Sequence, residues 1–180
     1  MKRTLKSRLG RGLAVMGAAL LIPLTQANLK AADVPQLFEQ AKMSANQLKA
    51  DTVQMETFTR SKTSWQNHAA QISKIKEHIN KAGKIVSDLE EARNSAEPWH
   101  HDAIDGVTNR LKELASNTTG IIDHLSQSPN HLWDPTYQQY LSSNAELAGE
   151  LAKLIGDTVE YDTTRAKIQS LQEKLDGLSA

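Results

Sequence analysis

Histidine and tryptophan are the residues whose types and spacing could do chemistry in this chain. His68, His124 and His131 stand near Trp65 and Trp133 once the chain is folded as argued below, and Asp134 follows the last of them. Two or three imidazoles with one carboxylate can bind zinc, copper or nickel. The competing expectation is packing: Trp65 and Trp133 plug the end of a core, and the histidines sit at its wet edge. A second cluster reads Glu97-Pro98-Trp99-His100-His101-Asp102. Glu97 and His100 have the Glu-x-x-His spacing of di-iron carboxylate bundles, but those sites need a second such pair, and the chain has none. A helix start explains the cluster equally well, with Glu97 favoured by the dipole and Trp99 stapling the turn.

Other chemistries lack their residues. The chain has no Cys, which excludes disulfides, thiolate metal sites and c-type haem attachment. A haem bundle needs inward Met and His ligands; Met43 and Met55 lie on the first helix, but the last helix has no His. There is no Gly-x-Ser-x-Gly element and no strand to carry one. The expectation is a protein that is not an enzyme and has no cofactor, with a metal ion at His68, His124 and His131 as the alternative.

The elements that must position these residues are long helices. Apolar residues recur at steps of three and four in three stretches, which keeps one seam of a helix facing a partner. One stretch runs Trp65, His68, Ile72, Ile75, Ile79, Ala82, Val86, Leu89. Another runs His100, Ile104, Val107, Leu111, Leu114, Thr118, Ile121, Leu125. The last runs Tyr137, Tyr140, Asn144, Leu147, Leu151, Leu154, Thr158, Tyr161. A second stripe lies beside it at Leu141, Ala145, Ala148, Ala152, Ile155 and Val159, giving a face wide enough for a multi-helix core. The polar seam residues Thr118, Asn144 and Thr158 are expected to fix register between the helices.

Punctuation sets the boundaries. Asp33 caps a first helix, with Pro35 tolerated in its first turn. A soft break follows at residues 57–64, where Thr63 and Gln66 have capping-box spacing. Asn94 to Pro98 and Ser128 to Pro135 are firmer breaks, the latter offering Asp134 as N-cap and Pro135 as first helical residue. The expected helices cover about 34–60, 64–94, 98–127 and 135–175. Short connections make neighbours antiparallel, so the fold class is all-α: an up-down-up-down antiparallel four-helix bundle with coiled-coil-like packing. That mapping sets His68 level with Leu125 beside His124. It also sets His100 and His101 level with Asp162 and Thr163.

Residues 1–27 read as a signal peptide, and residues 28–180 as a single helical-bundle domain. Lys2, Arg3, Lys6, Arg8 and Arg11 precede an apolar run from Leu13 to Leu24, and Thr25-Gln26-Ala27 fits a signal-peptidase site. The run is too short to span a bilayer, which takes about 20 residues. The 21 basic residues of the chain fall to 16 without those five, against 21 acidic, a net of −5. That opposes nucleic-acid binding and offers no polybasic patch to anionic lipid. The chain resembles no family closely enough for residue roles to be carried over. It reads as an exported, periplasmic or secreted protein acting through its surface in binding, as an adaptor or in the envelope. After signal cleavage no stable membrane insertion is expected.

The interaction residues expected from the pattern are Trp133 in the last loop and Ile168, Leu171 and Leu175 on the final helix. The mapping carries that helix beyond the start of the first one, so its apolar residues need a cover. Another protein, a second copy, or Leu29 and its neighbours within the monomer would each provide it.

Overall fold

The computed structural model describes residues 34–179. Four helices pack against each other: α1 Val34–Thr57, α2 Trp65–Ala92, α3 Pro98–Gln127 and α4 Pro135–Ser179. No strand occurs among the described residues. None of their helices is long and apolar enough to cross a membrane. The expected signal peptide, its cleavage site and the Asp33 cap lie outside the described residues.

Local chemistry explains each break. Thr57 Oγ1 donates to the Gln54 carbonyl at 2.6 Å and Thr59 Oγ1 to the Glu56 carbonyl at 2.8 Å. Such side chains offer the carbonyls an alternative to the helical ladder. The chain passes through a single 3₁₀ turn, Phe58–Arg60, and α1 and α2 are separate helices. The N-cap of α2 is Ser64, which accepts from the Asn67 amide, one residue later than the expected Thr63. Thr63 instead shares a 2.6 Å hydrogen bond with Ser61. At α4 the expected cap is present: Asp134 Oδ1 accepts from the Thr136 amide at 2.8 Å and the Tyr137 amide at 3.4 Å. Those amides hold the Asp134 carboxyl below its usual range.

The helices form a ring in which α1 and α3 each pack on both α2 and α4. Partners on α3 and α4 occur in opposite order along the two helices. Glu97 meets Arg165, His100 meets Asp162, Arg110 meets Glu150 and Asn117 meets Asn144. Every member of the expected α3 seam, His100 through Leu125, is buried.

The seam of α4 differs from expectation. Its core face is Tyr137, Leu141, Asn144, Ala148, Leu151, Ile155 and Thr158, with Ala152 and Val159 beside it. Tyr140, Leu147 and Leu154 stand half-buried on the flank, and Tyr161 is exposed. Two glycines on α3 explain how large side chains fit there. A Cβ at Gly106 would lie 3.0 Å from Leu154, and one at Gly120 would lie 3.0 Å from the Tyr140 ring. The notches admit Leu154 and Tyr140 at the α3 flank. Thr118 and Asn144 are buried and bonded to each other at 2.9 Å, and Asn117 donates to Asn144 at 2.6 Å. A fully paired polar contact of this kind specifies one register.

Candidate functional site

The three histidines of the first cluster come near each other but do not converge. His68 is buried, and its Nδ1 lies 2.7 Å from the Tyr137 hydroxyl. The Tyr137 ring stacks on His124 with centroids 4.6 Å apart, so it stands between the two imidazoles. His124 Nε2 donates to the His131 carbonyl at 3.0 Å, closing the loop before α4. The His131 ring lies against Trp133 at 5.6 Å. Burial lowers the His68 pKa and raises that of Tyr137, disfavouring the charged form of each ring. Among the described residues no group of three or more His, Asp or Glu is arranged to hold a metal ion. This geometry lends the metal reading no support.

The tryptophans do not plug this end. Trp65 is 43% exposed and Trp133 70% exposed. Phe58, His68 and Tyr137 fill it instead, with Phe58 and His68 rings 5.1 Å apart.

At the opposite end the start of α3 meets the middle of α4. His100 is buried between Trp99, stacked at 3.8 Å, and Phe38, stacked at 5.6 Å. Its Nε2 lies 3.1 Å from Asp162 Oδ2, as the antiparallel mapping anticipates. Its Nδ1 is buried without a partner. An imidazole oriented by a carboxylate is half of a nucleophilic triad, but among the described residues no hydroxyl is bonded to the free nitrogen. Glu97 does not cap α3 with its side chain. Its carboxylate accepts from Trp99 Nε1 at 2.9 Å and pairs with Arg165, and these contacts hold it below its usual pKa. Tyr161 meets the Trp99 ring edge-on at 4.6 Å, and the Arg165 guanidinium sits 5.9 Å from the Tyr161 centroid. An open groove of about 570 Å³ lies alongside, lined by Pro35, Glu39, Val159, Asp162, Thr163 and Ile168 among others.

Beyond this point α4 extends past the start of α3. Every residue from Thr163 to Leu178 is exposed. At about 1.5 Å per residue, the helix outruns α3 by roughly 20 Å. Ile168 is 50%, Leu171 51%, Leu175 63% and Leu178 85% exposed. These apolar residues do not continue the core seam. Steps of three and four from Leu151 lead through Ile155, Thr158 and Asp162 to Arg165, Gln169, Gln172 and Asp176, all polar. The exposed stripe sits one residue earlier at each step, a rotation of about 100°. It extends the flank that carries Tyr140, Leu147, Leu154 and Tyr161 within the bundle.

One pairing had no expectation behind it. Asp51 is buried on α1 and pairs with His78 of α2, while Gln71 Nε2 donates to the Asp51 carbonyl at 2.9 Å. Its signal in the sequence is a carboxylate on the apolar stripe between Leu48 and Met55. Comparison of the chain with protein-family models, curated proteins and solved structures finds no match.

Proposed function

We propose that this chain is an exported, non-enzymatic protein that acts through its surface as a binding, adaptor or envelope-associated protein. The observation that carries this reading is the overhang of α4. An apolar stripe of Ile168, Leu171, Leu175 and Leu178 stands exposed on a helix whose core seam has already ended. Contiguous exposed apolar surface of that kind marks an interaction site. The opposite order of partners along α3 and α4 supports an up-down-up-down antiparallel bundle, and recurring core residues at three and four support coiled-coil-like packing. In this reading the bundle is a rigid handle for the extended end of α4. Export rests on the leader, with maturation after Ala27 and a net charge of −5 on what remains.

A photoreactive residue placed at position 171 tests the contact in cells. It should form crosslinked adducts, whereas the same residue at position 153, on the charged outer face of the bundle, should form none. Equal yields at the two positions, or no adduct at either, would remove the basis for a docking surface. Export is tested separately by intact mass, which should begin at Asn28; a soluble protein retaining Met1 to Ala27 would contradict it.

A further inference from the structure

We propose that the occupant of the α4 stripe is a helix of another protein, apolar on one face and acidic beside it. This rests on the reading of the overhang as a docking surface and adds the chemistry of its partner. Ile168, Leu171 and Leu178 follow the spacing by which a helix seats side chains between those of a second helix. Lys167 and Lys174 stand seven residues apart and border this stripe on one side. Both are exposed, and neither has an ion-pair partner among the described residues. The opposite border carries Gln172 and Asp176, with Arg165 already paired to Glu97. On the lysine border the unmatched charge is therefore positive, two cations against the single unpaired carboxylate of Asp176 on the other border, and flanking charges of this kind set partner choice between helices.

A second copy fits less well: laid antiparallel, two copies set this lysine flank against itself, and laid parallel they bring Gln172 to it, with Asp176 as the one carboxylate on that border. Within the bundle, the flank that the stripe extends packs on α3, with Leu154 against Gly106 and Tyr140 against Gly120.

Two synthetic amphipathic peptides test this against the full-length protein. Both carry Leu at the seam positions; one has Glu and the other Lys at every flanking position, so each repels its own copies. Binding is followed by fluorescence anisotropy, and the state of the protein alone by sedimentation. The full chain should prefer the Glu peptide by about tenfold at low salt, the effect of two surface charge pairs changing sign. Lys167→Glu with Lys174→Glu should reverse the preference, and Leu171→Asp should abolish binding of both peptides. Equal binding of the two peptides overturns the acidic partner while leaving the docking surface standing. No binding of either peptide overturns both. A dimer of the protein alone that Leu171→Asp dissociates would make a second copy the occupant.

Discussion

The two halves of α4 use the same helix in opposite ways. From Tyr137 to Val159 its apolar side chains point inward, and Leu141, Leu151 and Ile155 are almost wholly excluded from solvent. From Tyr161 to Leu178 the exposed apolar residues lie on a face turned by about 100°, and the old core positions become Arg165, Gln169, Gln172 and Asp176. A helix that simply frayed at its end would lose its pattern. Here the core pattern ends while the flank pattern, already present at Tyr140, Leu147 and Leu154, continues. Stability is concentrated in the first half, and the second half is free to serve contact.

The largest expected effect separates the halves directly. Leu114→Ala or Leu151→Ala opens a hole in the core and should cost about 2 to 5 kcal/mol by chemical denaturation. Leu171→Ala should change stability by less than about 0.5 kcal/mol. Similar losses at Leu151 and Leu171 would break the comparison.

Next in size is the aromatic end of the bundle. Tyr137→Phe leaves buried His68 Nδ1 without its 2.7 Å partner and should cost about 1 to 3 kcal/mol, read from the denaturation midpoint. Replacing exposed Trp133 should leave that midpoint within about 0.5 kcal/mol.

Glycines sharpen the same contrast. Gly120→Ala pushes a methyl group against the Tyr140 ring and should destabilise by about 1 to 2 kcal/mol. Gly156→Ala meets nothing within 4 Å and should stabilise by up to about 1 kcal/mol through helix propensity alone. Gly177→Ala, in equally open space, should raise the helix content of the overhang by circular dichroism without moving the global transition.

The smallest effect is in pH. Burial holds the folded His68 pKa below its ordinary 6.5, so the unfolded chain binds a proton that the folded chain refuses. Stability from this residue is constant above that value and falls as pH drops below it toward the lowered folded pKa. Wild type should lose stability relative to His68→Gln between pH 7 and pH 5. A difference that stays constant across that range would contradict the buried neutral imidazole.

Much of this arrangement was legible in the sequence, for reasons that differ by element. The α3 seam could be read residue by residue because it is bounded by Pro98 and the Ser128 to Pro135 loop and has one apolar face. The His100–Asp162 contact followed from that reading, since a short connection fixes which residues stand level. In α4 the large residues Tyr140, Leu147 and Leu154 drew the seam off its true line. Tyr140 and Leu154 sit against notches at Gly120 and Gly106, which lie on another helix and have no local signature. The cap at Ser64 was misplaced by one residue because both candidates are hydroxyls, and Ser61 draws Thr63 away from the helix end. Trp65 and Trp133 are large enough to suggest a plug, but the space was already taken by Tyr137, Phe58 and His68. The Asp51–His78 pair shows the reverse failure. A carboxylate on an apolar stripe signals a buried partner without naming it, and the partner lies on α2.

The independence of the overhang from the bundle is tested most directly by deleting residues 166–180 and measuring the free energy of unfolding of the truncated and full chains side by side. Agreement within about 0.5 kcal/mol is expected, because residues 166–178 are all exposed and bury nothing in the core. A loss of about 2 kcal/mol or more on truncation would mean that the end of α4 is packed within the monomer, and would contradict its assignment as a surface for a partner.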